Sequence, residues 1–196
     1  MPTVVIIPVK SFRLAKQRLS DTLDDDSRDA LGRALAGHTA AAVEQAGLIP
    51  LIVTAAPAVV EWATTSGFPS LGDPEDGLSA AAGVGVEWAN ASGSHWIVLH
   101  GDLPLIDASD VTALNEIVVE GRAAIAPSSD GGTSALGMEG SFSFEFGAAS
   151  FHRHLRRLPD AHIVIRPGLA LDVDSPNDLI VAANTPRGAW LHEVLA

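Results

Sequence analysis

The stretch TVVIIPVKSFRLAKQRL (Thr3–Leu19) decides how the rest of the chain is read. Its first half is apolar and rich in β-branched residues, the composition of a strand covered on both faces of a parallel sheet. Its second half places Lys10, Arg13, Lys16 and Arg18 within nine positions and contains no glycine. Elsewhere, the glycines of GVGVEW (83–88) and DGGTSALG (130–137) lack the spacing of a P-loop or a Rossmann fingerprint, so neither is supported. Positive charge concentrated at a strand end holds and neutralises a polyphosphate; the other reading of the same residues is a solvated basic loop. Charge alone leaves both standing.

Outward from this stretch the rhythm repeats. A helical pattern runs from Ser27 to Gln45, with Ser27 placed as N-cap, Leu31 and Leu35 on one face and Gly47 beyond the last turn. Then come strand LIPLIVTA (48–55), a helix from Ala58 to Thr65, a helix from about Leu78 to Asn90, strand HWIVLH (95–100), a helix from about Ser109 to Glu120 and strand AAIAP (123–127). Strands alternating with helices predict an α/β fold with a mostly parallel sheet flanked by helices. After Pro127 the texture changes to SSDGGTSALGMEGSFSFEFGAASF (128–151), whose alternation predicts a small β insertion near 128–147 facing the substrate. Helix ASFHRHLRRL (149–158), strand HIVIR (162–166), the run LALDVDS (169–175) and a last helix from Pro176 complete the chain.

The length of 196 residues suits one domain spanning 1–196, and 47% hydrophobic content supplies a large interior. No apolar stretch is long and uninterrupted enough to cross a bilayer, and MPTVVIIPVK lacks the basic start and cleavage site of a signal peptide. A cytoplasmic protein is expected. The absence of cysteine removes disulfides, thiolate nucleophiles and thiolate metal sites together. A formal charge of −12 repels a phosphate backbone, so nucleic acid is not an expected partner; a small phosphorylated substrate in a locally basic cleft is.

In open α/β sheets ligands bind beyond the carboxyl ends of the strands. The basic loop is one such place. HWIVLHGDLPLID (95–107) is a second, where Gly101 lets the chain turn, Pro104 stiffens the exit and Asp102 either ligates a cation or satisfies a turn. LALDVDSPNDL (169–179) is the third. If this run is a strand, Asp172 and Asp174 leave the same face and repel unless a cation lies between them. Ser175, Pro176 and Asp178 form a helix start, which makes Asp178 structural. Asp102, Asp172 and Asp174 together suit Mg2+, which takes oxygen ligands from carboxylates, substrate phosphates and water. His152 and His154, two apart on a helix, face different ways and are read as surface or anion-contacting residues rather than a chelating pair. No G-x-S-x-G elbow is present.

Taken jointly, IPVKSFRLAKQRL, DGLSAA, GDLPL, GGTSAL, FEFGAASFHRH and LDVDSPNDL resemble, in order and spacing, the CofC/FbiD family of guanylyltransferases of coenzyme F420 biosynthesis. The likeness runs from Pro8 to Leu179. It implies a single-domain GT-A-like nucleotidyltransferase fold, GTP as donor, Mg2+, and a phosphorylated three-carbon acid as acceptor: 2-phospho-L-lactate, phosphoenolpyruvate or 3-phosphoglycerate. The product would be guanosine diphosphate joined to that acid, with pyrophosphate released. By position, Asp102, Asp172 and Asp174 resemble the metal ligands, and Lys10, Lys16 and Arg18 join Asp102 in the catalytic set. Pro8, Val9, Lys10, Gly77, Leu78, Ser79 and Gly101 resemble the nucleotide contacts, and Thr133, Gly147 and Ser150 the acceptor contacts. The chain departs from the family pattern where Ser79 and Ser134 replace a frequent Asn, and where Ser128 and Ser129 replace an Asp-Arg pair.

Rival readings are another GT-A enzyme, such as a molybdopterin guanylyltransferase or a sugar transferase, and a non-catalytic nucleotide-binding homologue. The molybdopterin and sugar-1-phosphate enzymes usually carry a glycine-rich loop after the first strand, which this chain lacks. WLHEVLA (190–196) reads either as an interface helix of a homodimer or as a tail docked on its own chain.

Overall fold

The computed structural model describes residues 1–12 and 17–195. In chain order the elements are β1 (Thr3–Pro8), α1 (Asp25–Gln45), β2 (Ile49–Thr54), α2 (Pro57–Thr65), β3 (Ser70–Gly72), α3 (Gly77–Ala91), β4 (His95–Leu99) and α4 (Ala108–Val119). β5 (Ala124–Pro127), β6 (Thr133–Met138), α5 (Ser150–Arg157), β7 (His162–Ile163), α6 (Pro167–Ala170), α7 (Pro176–Ala183) and α8 (Leu191–Val194) follow. One seven-stranded sheet runs β3-β2-β1-β4-β6-β5-β7. The pairs β1–β2, β1–β4, β2–β3 and β5–β7 are parallel, while β6 is antiparallel to both of its neighbours.

Alternation along β1 feeds two cores. Val5 and Ile7 point into a cluster with Ala36, Ala40 and Val43 of α1 and Val111 and Leu114 of α4. Val4 and Ile6 point the other way, against Ala81, Ala82, Val86 and Ala89 of α3. α3 sits so close to the sheet that a Cβ at Gly85 would collide with the Ile6 side chain. A third cluster, of Leu19, Leu31, Leu35, Leu105, Val173, Leu179 and Leu191, joins α1 to the C-terminal segments.

Three expectations change. The N-cap of α1 is Asp24, whose carboxylate accepts the Ser27 N–H at 2.8 Å; Ser27 is the third helical residue. An ionised acceptor followed by Asp25 and Asp26 suits the positive end of the helix dipole better than a hydroxyl does. The β segment anticipated near 128–147 is β6, built into the main sheet with Ile97 opposite Gly137 and Ile125 opposite Leu136. Small residues make this strand possible, since a Cβ at Gly137 would lie 2.7 Å from Ile97 and 2.9 Å from Val118. Finally, LALDVDS is no strand: α6 leads into a segment outside the sheet ladders in which Val173, between Asp172 and Asp174, is buried in the third cluster.

Other expectations hold. Gly47, at φ 75°, ends α1 while Leu48 N–H reaches the Val43 carbonyl at 3.1 Å. Ser175 and Asp178 form a reciprocal capping box at α7 with Pro176 at its first position. Within WLHEVLA, residues 190–195 pack on their own chain. Trp190 stacks on His38 with ring centroids 4.6 Å apart and donates from Nε1 to the Pro104 carbonyl at 3.1 Å, and Leu191 is fully buried. Among the described residues no helix is long and apolar enough to cross a membrane.

Candidate active site

The carboxyl ends of β1 and β4 lie side by side and open into one cleft. Pro8, Val9, Lys10, Leu78, His100, Gly101 and Asp102 line it. An adjoining cleft is lined by Lys10, Asp73 and Gly77. The β1 exit is fixed by the Val9 N–H to the Val53 carbonyl at 2.9 Å and by the Thr54 hydroxyl to the Lys10 carbonyl at 3.1 Å. Gly77 opens α3 at φ 83°, a conformation that favours glycine, so the amides of this helix start at the cleft. Gly101 lies in a turn, as anticipated, without the left-handed backbone that favours glycine. A Cβ there would stand 3.1 Å from Ile7 as the chain passes over β1.

Beyond β4, His100 and Asp102 meet Asp172, and one ligand atom from each lies within 4.8 Å of the others. The local fold imposes this. His100 N–H bonds the Ser134 carbonyl at 3.0 Å, Ser129 N–H bonds the Ala170 carbonyl at 2.7 Å, and Val173 N–H bonds the Asp102 carbonyl at 3.2 Å. Burial pushes the Asp172 carboxyl up to about 6, and the negative charges of Asp102, Asp174 and Asp130 add to it. Two carboxylates and an imidazole that converge this closely, with one carboxylate poorly tolerated as an anion, fit a divalent cation.

Asp174 stands outside that group, largely exposed, with its carboxylate 3.9 Å from an Arg18 guanidinium that is itself 80% exposed. Lys16 and Arg13 lie outside the described residues. Nothing in the sequence marks His100, which directly follows β4, because a lone histidine offers no spacing partner.

Thr133, Gly147 and Ser150, the residues expected at the acceptor, come together under one loop. Ser150 Oγ donates to Thr133 Oγ1 at 3.3 Å, and Ser150 N–H bonds the Gly147 carbonyl at 3.0 Å. Thr133 and Ser150 are buried, whereas Gly147 is exposed at φ 114°. His154 is not the surface residue anticipated. Its ring is fully buried beside Thr133, while His152, two residues earlier on α5, is exposed. Ser79, on α3, is tied to the same loop by the Phe146 N–H, which donates to its hydroxyl at 3.1 Å.

The sequence model of the family described as "Guanylyl transferase CofC like" matches residues 3–183. The chain belongs to this family. Among its CofC-like relatives, a phosphoenolpyruvate guanylyltransferase of Rubrobacter xylanophilus is 38% identical, covering 91% of this chain and 92% of the relative. A 2-phospho-L-lactate guanylyltransferase of Methanothermobacter thermautotrophicus is 30% identical over 91% and 83%, and a 3-phospho-D-glycerate guanylyltransferase of Phenylobacterium zucineum 32% over 97% and 94%. The CofC-like chain also shares its fold with a putative nucleotide-diphospho-sugar transferase from Desulfovibrio desulfuricans G20 (TM-score 0.78, 16% identity, 98% and 95% coverage). A nucleotidyl transferase of M. thermautotrophicus superposes with a TM-score of 0.63 at 18% identity, covering 98% and 99%. The departures from the CofC/FbiD pattern have local partners here. Ser134 donates to the Ala126 carbonyl at 3.3 Å, and Ser128 donates to Asp130, which also accepts the Gly132 N–H at 2.8 Å.

Proposed function

We propose that the protein transfers a guanylyl group from GTP to the phosphate of a three-carbon phospho-acid, with phosphoenolpyruvate as first choice and 2-phospho-L-lactate and 3-phosphoglycerate as alternatives. Pyrophosphate leaves. The observation that carries the reading is the convergence of His100, Asp102 and Asp172 beside Lys10 and the start of α3. Family membership supplies the donor and the acceptor class, and the resemblance adds a place in coenzyme F420 biosynthesis.

Asp102 and Asp172 would hold Mg2+, with His100 beside them. Such an ion, when bound, neutralises phosphate charge and makes the α-phosphorus more electrophilic. Lys10 and the amide groups opening α3 bind the triphosphate, and the Lys10 ammonium stabilises charge that grows on the departing pyrophosphate. Arg18, and Lys16 by resemblance, add to the same field. The acceptor phosphate is ionised at neutral pH, so no side chain has to remove a proton from it. One of its oxygens bonds to the α-phosphorus as the bond from that phosphorus to the β-bridging oxygen breaks. The loop carrying Gly147 orients the acceptor, and positioning with electrostatics accounts for the rate.

The test is to incubate the protein with Mg2+, each of the four nucleoside triphosphates and each of the three acids, and to measure pyrophosphate. Release with GTP and one of these acids is the expected result. Release with another nucleotide, or none with any pair, refutes the assignment.

A further inference from the structure

We propose that His154 is a positioning residue for the acceptor: as the Nδ1–H tautomer it ties the loop Glu145–Gly147 to β6 and sets the loop's height over the site. The proposal rests on the reading above that this loop faces the phospho-acid.

The tautomer follows from the partners. Nε2 lies 2.9 Å from the backbone nitrogen of Glu145, and a backbone N–H can only donate, so Nε2 accepts and carries no proton. The proton of the neutral ring is then on Nδ1, which donates to Thr133 Oγ1 at 2.9 Å. In the opposite tautomer, or with both nitrogens protonated, N–H would face N–H and the loop would be pushed away. Burial, followed by the positive charge of Arg153, pulls the pKa of this ring down to about 4, which keeps it neutral near pH 7.

The same ring organises what lies above it. Its centroid is 5.1 Å from that of Phe146 and 5.6 Å from that of Phe142, edge to face in both cases. Phe146 in turn lies 5.4 Å from His100 of the cation group, and its N–H donates to Ser79 beside the nucleotide cleft. One buried imidazole therefore joins β6 to the loop that links Ser79, His100 and Gly147. The loop needs such a tie. Ala149 is held in a left-handed conformation at φ 55°, which a residue with a Cβ adopts at a cost.

His154→Phe keeps a ring of similar breadth and deletes both hydrogen bonds; His154→Gln keeps an amide that can accept and donate. The expected result is a KM for the acceptor raised at least tenfold in His154→Phe with the KM for GTP within twofold of wild type, and recovery of most of that loss in His154→Gln. An unchanged acceptor KM, or parallel rises for both substrates with no recovery by Gln, overturns the proposal. Should His154→Phe fail to fold, His154→Asn, whose shorter amide can still reach Thr133 but not the Glu145 N–H, is read on the same criterion. A wild-type protein that transfers to none of the three acids sinks the proposed reaction and this inference with it. An active wild type with insensitive variants sinks the inference alone.

Discussion

The backbone N–H of Val173 donates to the carbonyl oxygen of Asp102 across 3.2 Å, so the segment carrying Asp172 is stitched directly onto the segment carrying Asp102. The acids meet because their backbones do, and the side chains are held together against their own repulsion. Asp172→Asn removes a charge the fold resists. Its expected outcome is a fall of at least about a hundredfold in kcat/KM, the scale of losing one well-placed electrostatic group. Without added cation its Tm should not fall below that of wild type. Loss of both activity and cation-free stability would mean that Asp172 is a structural acid.

Acid and base should act on the cation-free protein in an unusual direction at this residue. Asp172 is raised from 3.8 to about 6 in the folded state, so the folded protein holds its proton more tightly than the unfolded chain does. That contribution is fully present below pH 3.8 and is lost as pH rises through about 6. Urea midpoints of wild type minus Asp172→Asn, followed from pH 4 to 7, should therefore decline. Saturating divalent cation should flatten the decline.

In the proposed cation site His100 would add nitrogen to a set otherwise made of oxygen, and imidazole favours Mn2+ over Mg2+ more than carboxylate does. Paramagnetic resonance of free Mn2+ should show binding to wild type that weakens about tenfold in His100→Ala, with Mg2+ affinity changed less. Equal weakening for the two ions would remove His100 from the ligand set.

The segment before Asp172 is anchored by a buried carboxylate. Asp110 is fully buried, accepts Arg166 Nε at 2.6 Å and Arg187 Nη1 at 2.8 Å, and belongs to the capping box of α4. Asp110→Asn leaves two guanidinium groups without their counter-charge, and since both are partly exposed we expect a loss of about 2 kcal/mol in urea unfolding, below the range for a wholly buried pair. A change under about 0.5 kcal/mol would show that the network is dispensable.

Much of this molecule is legible in its sequence where a local rule has one solution. The β-branched run before Lys10 is covered on both faces, and the Ser175-Pro176-Asp178 signature is a cap. Where a rule has several solutions the residues mislead. Small residues from Thr133 to Met138 announce a strand, yet neither its direction nor its place between β4 and β5 is written in its period. Val173 satisfies its apolar character by entering a third core rather than a ladder, which turns an expected strand into a segment outside the sheet. That difference moves the acids: Asp172 meets Asp102 and His100, while Asp174 faces Arg18. His154 is the sharpest case, since the spacing that separates it from His152 does not say which of the two goes inside.

The place of β6 also dictates a chronology. The half-sheet β3-β2-β1-β4 is complete in the growing chain once Leu99 has emerged, but its β4 edge stays open until β6, made after β5, slots between them. Asp172 arrives later still. A nascent chain thus carries Lys10 early and an unsealed strand edge for about forty residues after Leu99. Asp172 is made only after the residues of that seam, so capture of the proposed ion by a nascent chain should lag behind the formation of the first parallel strands.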